Sequence, residues 1–219
     1  MVDLHIHSTY SDGEDEPETI IETAIGLGME HICITDHVTA CTPWLDDYVR
    51  DIRALARKYR NHIDVLCGFE SKVIDLHGQL DALDEFYEKV DLVFGAFHDI
   101  PTENGLAAAQ PRRPSSRDLS RCWFESFCNL IANPHVHIIA HPTAVLGMYG
   151  LKLSRTRKLE IARRAKRYDI ALERNSKYGV PDAEFVDILG RRGVRLTRGS
   201  DSHNVAQFTQ RNAKRKNRD

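Results

Sequence analysis

Seven short runs rich in apolar and β-branched residues alternate with segments of helical period along the chain, and this alternation limits the folds open to it more than any other feature. The runs fall at 2–7, 30–35, 62–69, 90–97, 136–141, 169–173 and 194–199. Helix-period segments lie between them at 17–28, 44–60, 78–89, 117–132, 154–168 and 181–192, and 204–219 is a candidate last helix. Pro17 and Pro181-Asp182 suit first helical turns, while Gly28 and Gly193 suit helix stops. Strands joined through helices run parallel, so the expected class is α/β, either an open doubly wound sheet or a closed barrel. The favoured expectation is a barrel of about seven βα units, distorted or incomplete, with any site at the C-terminal ends of the strands. A chain of 219 residues fits one domain, placed at 1–203, followed by a basic C-terminal tail at 204–219.

Composition removes several other classes. Hydrophobic residues make up 42% and charged residues 28%, which is globular rather than disordered. No window approaches the roughly 18 consecutive apolar residues of a membrane span, and Met1 leads straight into Val2-Asp3-Leu4-His5 without a secretory pattern. The expectation is a soluble, cytoplasmic protein with no membrane partner. Cys33, Cys41, Cys67, Cys122 and Cys128 are odd in number and never spaced C-x-x-C, so they read as inert thiols. Net charge is −2, and residues 1–203 carry 25 basic against 31 acidic groups. A nucleic-acid binder calls for a basic body, whereas here only the tail is basic, through Arg211, Lys214, Arg215, Lys216 and Arg218. The segment 101–116 is the longest without a pattern and reads as a lid or mobile loop.

Six of the seven runs end in, or just before, residues that bind metals. They are His5-Ile6-His7 with Asp12 in the following turn, Asp36-His37, Glu70, His98, His141 and Asp201-Ser202-His203. In a parallel β/α architecture those ends share one face. Residues two apart in a strand point the same way, so His5 and His7 can chelate together while Leu4 and Ile6 pack outward. The candidate ligands are His5, His7, Asp12, His37, Glu70, His98, His141, Asp201 and His203. Imidazoles mixed with carboxylates suit zinc, manganese or iron rather than calcium, and nine donors exceed the needs of one tetrahedral ion. His31, His62, His77, His135 and His137 lie at strand starts, in turns or upstream of His141 and read as structural. The chain has no G-x-G-x-x-G, G-x-x-x-x-G-K-[ST] or G-x-S-x-G pattern.

The motifs DLHIHSTYSDG at 3–13, ITDH at 34–37, GFE at 68–70, His98, AHP at 140–142 and GSDSH at 199–203, taken in this order, resemble the PHP superfamily, named for polymerase and histidinol phosphatase. The resemblance covers about residues 1–203. It implies a distorted (β/α)7 barrel holding a trinuclear metal cluster and hydrolysing phosphoesters; the expectation for this chain is two or three divalent ions (Zn, Mn or Fe), with a metal-bound hydroxide as the attacking group. It assigns His5, His7, Glu70 and Asp201 to a first metal, Glu70 bridging to a second held by His98 and His141, and Asp12, His37 and His203 to a third. Asp12, His37, Glu70, Asp201 and His203 are the expected catalytic set. Family members often carry Leu-Glu-Ile-Asn at the sixth strand where this chain has Leu172-Glu173-Arg174-Asn175. Arg174 and Arg198 near strand ends, and Arg112, Arg113 and Arg117 bordering the long loop, are the candidates for gripping phosphate. The expected activity is phosphomonoester hydrolysis on a small phosphorylated substrate, with histidinol phosphate among the candidates. A nuclease acting on DNA or RNA ends and a non-catalytic metal-binding module are the rival readings.

Overall fold

A computed structural model describes residues 1–216, with side chains as far as Ala213. Its main strands are β1 (Val2–Ile6), β2 (His31–Ile34), β3 (Asp64–Lys72), β4 (Leu92–Ala96), β7 (Ile138–Ile139), β8 (Ala171–Asn175) and β9 (Leu196–Gly199). All seven run parallel, in the order β1-β2-β3-β4-β7-β8-β9. The sheet then curls back on itself: Asp201 N donates to His5 O at 2.8 Å and His7 N to Ser202 O at 2.9 Å, joining the end of β9 to β1. The result is a nearly closed (β/α)7 barrel, distorted where β4 and β7 pair over only Phe94↔Ile138 and Gly95↔Ile139. No helix among the described residues is long and apolar enough to cross a membrane.

The helices α1 (Pro17–Gly26), α2 (Leu45–Tyr59), α4 (Ser116–Leu130), α6 (Arg155–Arg167), α7 (Ala183–Arg191) and α8 (Val205–Lys216) surround the sheet. Ser115, Ser154 and Asp182 cap α4, α6 and α7 by accepting from the backbone N–H three residues on. Between helices and sheet lies the main core, including Ile20, Ile52, Phe69, Trp123, Phe127, Leu172 and Phe185. A second, smaller cluster of Cys33, Phe94, Ala96, Ile138, Ala140 and Ala171 fills the lower interior of the barrel. Apolar side chains thus plug the lower interior and leave its upper layer to polar groups.

Several local expectations change. The helical period at 78–89 yields only one turn, α3 (Asp84–Tyr87). Asp75 accepts from the N–H groups of His77 and Gln79, and Gly78 sits at φ 75°, so the chain turns back there. Ile74 N then bonds Gln79 O and Asp81 N bonds Lys72 O, which holds 79–81 against the end of β3. The patternless segment 101–116 contains a small hairpin, β5 (Pro101–Thr102) with β6 (Gly105–Leu106), and a 3₁₀ turn at Ala107–Ala109. A short helix, α5 (Ala144–Met148), follows His141. Leu4 does not face outward: the register of β1 against β2 shifts between Asp3 and Ile6, and Leu4 packs on the inner cluster while His5 also points inward.

Within the 204–219 segment, Val205–Lys216 form α8, which docks through buried Phe208 and through Asn212 Nδ2 donating to Asp3 Oδ2 at 2.8 Å. The side chains of Lys214, Arg215 and Lys216 are not described, and Arg218 lies outside the described residues.

Closure leaves no room at Gly199, where an added Cβ would stand 1.6 Å from Glu173 Oε1 and 2.7 Å from His5 Cβ. Gly199→Ala therefore displaces a buried carboxylate and should cost about 1–3 kcal/mol, read as a lowered thermal midpoint. Gly26→Ala, with nothing within 4 Å of the new Cβ, should be neutral or slightly stabilising. Equal midpoints for the two variants would contradict the packing described.

Candidate metal centre

Each ligand type arrives at the barrel mouth from the end of a strand. β1 delivers His5 and the adjoining His7, both fully buried, and β3 runs on to Glu70, which is 1% exposed. His37 follows β2, His98 follows β4, His141 follows β7, and Asp201 and His203 follow β9. All nine sequence candidates come together there. Glu70 is the hub: its carboxylate oxygens lie 2.9 Å from His141 Nε2, 3.0 Å from His37 Nδ1, 3.5 Å from His5 Nε2, 3.5 Å from His98 Nε2 and 3.8 Å from His7 Nε2. Asp12, 55% exposed at the rim, stands 3.3 Å from His203 Nε2, 3.6 Å from His37 Nε2 and 3.9 Å from His7 Nδ1. Asp201 Oδ1 is 3.5 Å from both His7 Nε2 and His203 Nδ1.

Seven of the nine fall into three overlapping groups whose donor atoms lie within 4.8 Å of one another: His7, Asp12, His37 and His203; His5, His7 and Glu70; and His37, Glu70 and His98; His141 and Asp201 join through their contacts with Glu70, His7 and His203. His7 and His37 are thus shared between groups, where the family resemblance had placed His7 in the first set and His37 in the third alone. Two features fit divalent cations. His7 Nδ1 and His141 Nδ1 are buried without a hydrogen-bond partner, and the His5 and His7 Nε2 atoms face each other at 3.0 Å. Nitrogen lone pairs converging on carboxylates are the donor chemistry of zinc, manganese or iron sites.

The charges follow from burial set against neighbours. Desolvation lowers His7 to about 3, so its imidazole is neutral and ready to ligate. For Glu70, burial raises the pKa, but His5, His98, His141 and His37 outweigh it and hold the carboxyl well below its ordinary range. Asp201 is likewise held low, with burial opposed by His7 and His5. Burial lowers His5, yet Glu173 and Glu70 lift it well above the usual imidazole value.

The sequence reading missed the groups that hold these ligands. Fully buried Glu173 accepts from His5 Nδ1 at 2.9 Å and from His141 N at 2.6 Å, fixing one ring and the other residue's backbone. Its signal was present, because 171, 173 and 175 share one face of β8 and a carboxylate on the inward face needs partners. Asp36 ties down the His7–Asp12 loop, its Oδ1 accepting from Ser8 N and Ser11 N and its Oδ2 from the Ser8 hydroxyl. Burial pushes Asp36 up to about 6 against those bonds. Arg211 of α8 donates to the carbonyls of Ser200 at 3.0 Å and Asp201 at 2.7 Å. It thereby braces a loop whose Asp201 sits at φ 52°, a strained value for a residue with a side chain. The only basic tail residue with a described side chain is therefore spent on the barrel.

The arginine expectations change too. Arg174 pairs in register with Arg198, and Glu173 and Asn175 flank Arg174 on the inward-facing positions of β8. Strand alternation therefore aims both arginines at the outer face, away from the clustered histidines and carboxylates. Arg112 and Arg117 are exposed. Arg113 stacks 5.0 Å from the Tyr149 ring and donates to Tyr149 O, while the Tyr149 hydroxyl bonds Asp99, next to His98. His31 pairs with Asp64 at the strand starts, His137 Nδ1 accepts from Val93 N, and His135 stacks on Tyr87. These three are away from the site, as is His77, whose N–H serves the Asp75 turn.

Comparison with known proteins gives one family: the PHP domain matches residues 3–178. The DNA polymerase/3'-5' exonuclease PolX of Bacillus subtilis is 28% identical over 216 residues, 93% of this chain but 34% of PolX, so the chain spans about a third of that relative. A protein of Acetivibrio thermocellus named as a probable phosphatase is 28% identical over 213 residues, covering 93% of this chain and 79% of its own length. Among solved structures, histidinol phosphate phosphatase of Lactococcus lactis, complexed with zinc, L-histidinol and phosphate, superposes with TM-score 0.68 at 20% identity, over 97% of this chain and 92% of that one. A candidate histidinol phosphatase of Listeria monocytogenes gives TM-score 0.76 at 16% identity, over 95% and 97%.

The Glu173 contacts generate a test. Glu173→Gln keeps the shape but weakens the acceptor that orients His5, and should raise the dissociation constant for zinc roughly 10–100-fold while the far-ultraviolet circular dichroism is unchanged. Zinc affinity within twofold of the parent would show that Glu173 does not orient the ligands.

Proposed function

We propose that this chain, which belongs to the PHP family, is a metal-dependent hydrolase of phosphomonoesters that works through two or three divalent ions held by His5, His7, Asp12, His37, Glu70, His98, His141, Asp201 and His203. The observation that carries the reading is the Glu70 carboxylate, buried among five imidazoles at 2.9–3.8 Å with Asp12 and Asp201 beside them. So many donors around one carboxylate suit several ions sharing a bridge rather than one. Divalent ions at such a site supply a hydroxide nucleophile near neutral pH and offset charge on the transferring phosphoryl group.

The side chains have distinct tasks in this scheme. Fully buried His5, His7 and Glu70 exclude water from beneath the site and fix its geometry. Asp12, His37 and His203 form the open edge where substrate enters. Burial raises the Asp12 pKa, but His37 and His203 outweigh it and hold the carboxyl below its ordinary range, so the rim carboxylate is ionised and suited to hold a cation at the open edge. None of the nine is a serine or cysteine, and attack by water needs no protein nucleophile. The Acetivibrio relative's name supports a phosphatase, and the Lactococcus structure's zinc, histidinol and phosphate make histidinol phosphate the first substrate to try.

A nuclease acting on nucleic-acid ends is the second reading, favoured by the PolX match. The experiment that separates them is a side-by-side assay of histidinol phosphate, nucleoside monophosphates and a single-stranded oligonucleotide on zinc- and manganese-loaded protein. Turnover of free phosphomonoesters is expected, and turnover of the oligonucleotide alone would reverse the order.

Elemental analysis after reloading should give two or three ions per chain, and fewer than one would contradict the cluster. Glu70→Gln, which keeps shape and removes the bridging charge, should lower kcat/KM by about a hundredfold or more. Parent-like turnover with full metal content would show that Glu70 is not a bridge.

A further inference from the structure

A side-chain cation beside the nine residues would add a charge-assisted contact to phosphate, and strand parity turns Arg174 and Arg198 away from them. Two lysines stand near the nine: Lys72 lines the cavity beside His37, Glu70 and His98 but is ion-paired with Asp81 at 3.1 Å, whereas Lys177 is paired with one of the nine residues itself. Its Nζ lies 3.1 Å from Asp201 Oδ1, and among the described residues it is the one lysine or arginine ion-paired with any of the nine ligands. The turn that carries it is built rather than loose. Asn175, on the inward face at the end of β8, accepts through Oδ1 from Lys177 N at 3.0 Å and from Tyr178 N at 3.1 Å. Asn175 Nδ2 donates to Glu173 at 3.1 Å, which links the turn to the carboxylate holding His5. Ser176 N donates to Gly199 O at 3.0 Å and Asn175 N to Val180 O at 2.8 Å, pinning the turn to β9 and closing it on itself.

This platform sets two side chains at the mouth. Tyr178 presents an edge to the His141 ring at 5.4 Å, and Lys177 Nζ lies 5.2 Å from the Tyr178 ring. The Lys177 side chain is 29% exposed while its partner Asp201 is 5% exposed, so the ammonium stands between the buried carboxylate and solvent. An ammonium has three donors and Asp201 takes one, leaving two for an anion arriving from outside. A phosphoryl group placed against the Asp12, His203 and Asp201 edge brings oxygens that accept such bonds, and a charge-assisted contact of this kind is stronger than a neutral one.

Resting on the hydrolase reading above, we propose that Lys177 binds a non-bridging phosphoryl oxygen of the substrate, and that the Asn175-anchored turn after β8 is the phosphate-positioning element of this chain. The ion pair with Asp201 then holds the lysine in place rather than occupying it.

The test is calorimetric titration of zinc-loaded protein with inorganic phosphate, alongside kcat/KM on one good phosphomonoester and metal content of each sample. Lys177→Met should weaken phosphate binding about ten- to a hundredfold with unchanged zinc content, and should lower kcat/KM to a similar extent. Lys177→Arg, which keeps the charge and the donors, should stay within about threefold of the parent in both. Three results would overturn the proposal: a parent that binds no phosphate, a Lys177→Met protein binding it within twofold of the parent, or a loss that tracks missing zinc and is restored by excess zinc. The last would mean that Lys177 only steadies Asp201. A parent that binds phosphate through Lys177 yet hydrolyses no phosphomonoester would remove the hydrolase reading and leave the phosphate contact standing.

Discussion

One buried carboxylate governs this structure. Glu70 is 1% exposed and sits at the centre of the barrel mouth, where an isolated charge would be costly to hold. It stays ionised because imidazoles from the ends of four strands converge on it: His5 and His7 from β1, His37 from β2, His98 from β4 and His141 from β7. His5, His7 and His141 are themselves costly to bury, and each finds its compensation in Glu70, in a second carboxylate such as Glu173 or Asp201, or in a cation that all of them can share. The interaction therefore demands several strand ends at once, and a closed parallel barrel supplies them.

The rest of the architecture serves that demand. The inner cluster around Phe94 and Ile138 closes the barrel from below, so the polar layer has a dry floor. Gly199 removes the one side chain that would collide with Glu173. His141 at φ 27° and Asp201 at φ 52° show that two of the nine clustered residues are presented from backbone that ordinary residues avoid. Hydrogen bonds to elements elsewhere hold them there: His141 N donates to Glu173, and Arg211 donates to the carbonyl of Asp201. The last helix thus belongs to the site as a brace, and Asn212, paired with Asp3, ties that brace to the strand carrying His5 and His7.

Much of this was legible in the residues before any coordinates. Donor types recurring at strand ends have no packing explanation, and the parallel alternation brings strand ends to one face whatever the details of pairing. What was lost depended on parity and on tertiary turns. The side on which Leu4 falls depends on a register shift between Asp3 and Ile6 that no hydrophobic pattern announces. Arg174 was placed by its nearness to a strand end, when the inward parity of Ala171, Glu173 and Asn175 already aimed it outward. The 78–89 segment carries helical spacing, but the Asp75 side chain and Gly78 spend it on a turn. Lys177 offered no sequence signal, since its meaning comes from Asn175 folding the next two N–H groups onto one oxygen.

The central claim is that nine residues from six strand ends form one multinuclear site bridged by Glu70. Anomalous diffraction at the zinc edge from crystals of reloaded protein tests it most directly. The account predicts two or three peaks at the barrel mouth, neighbouring ions about 3.5–4 Å apart, with the Glu70 carboxylate between two of them. A single peak that leaves Glu70 uncoordinated, or peaks away from these residues, would contradict it.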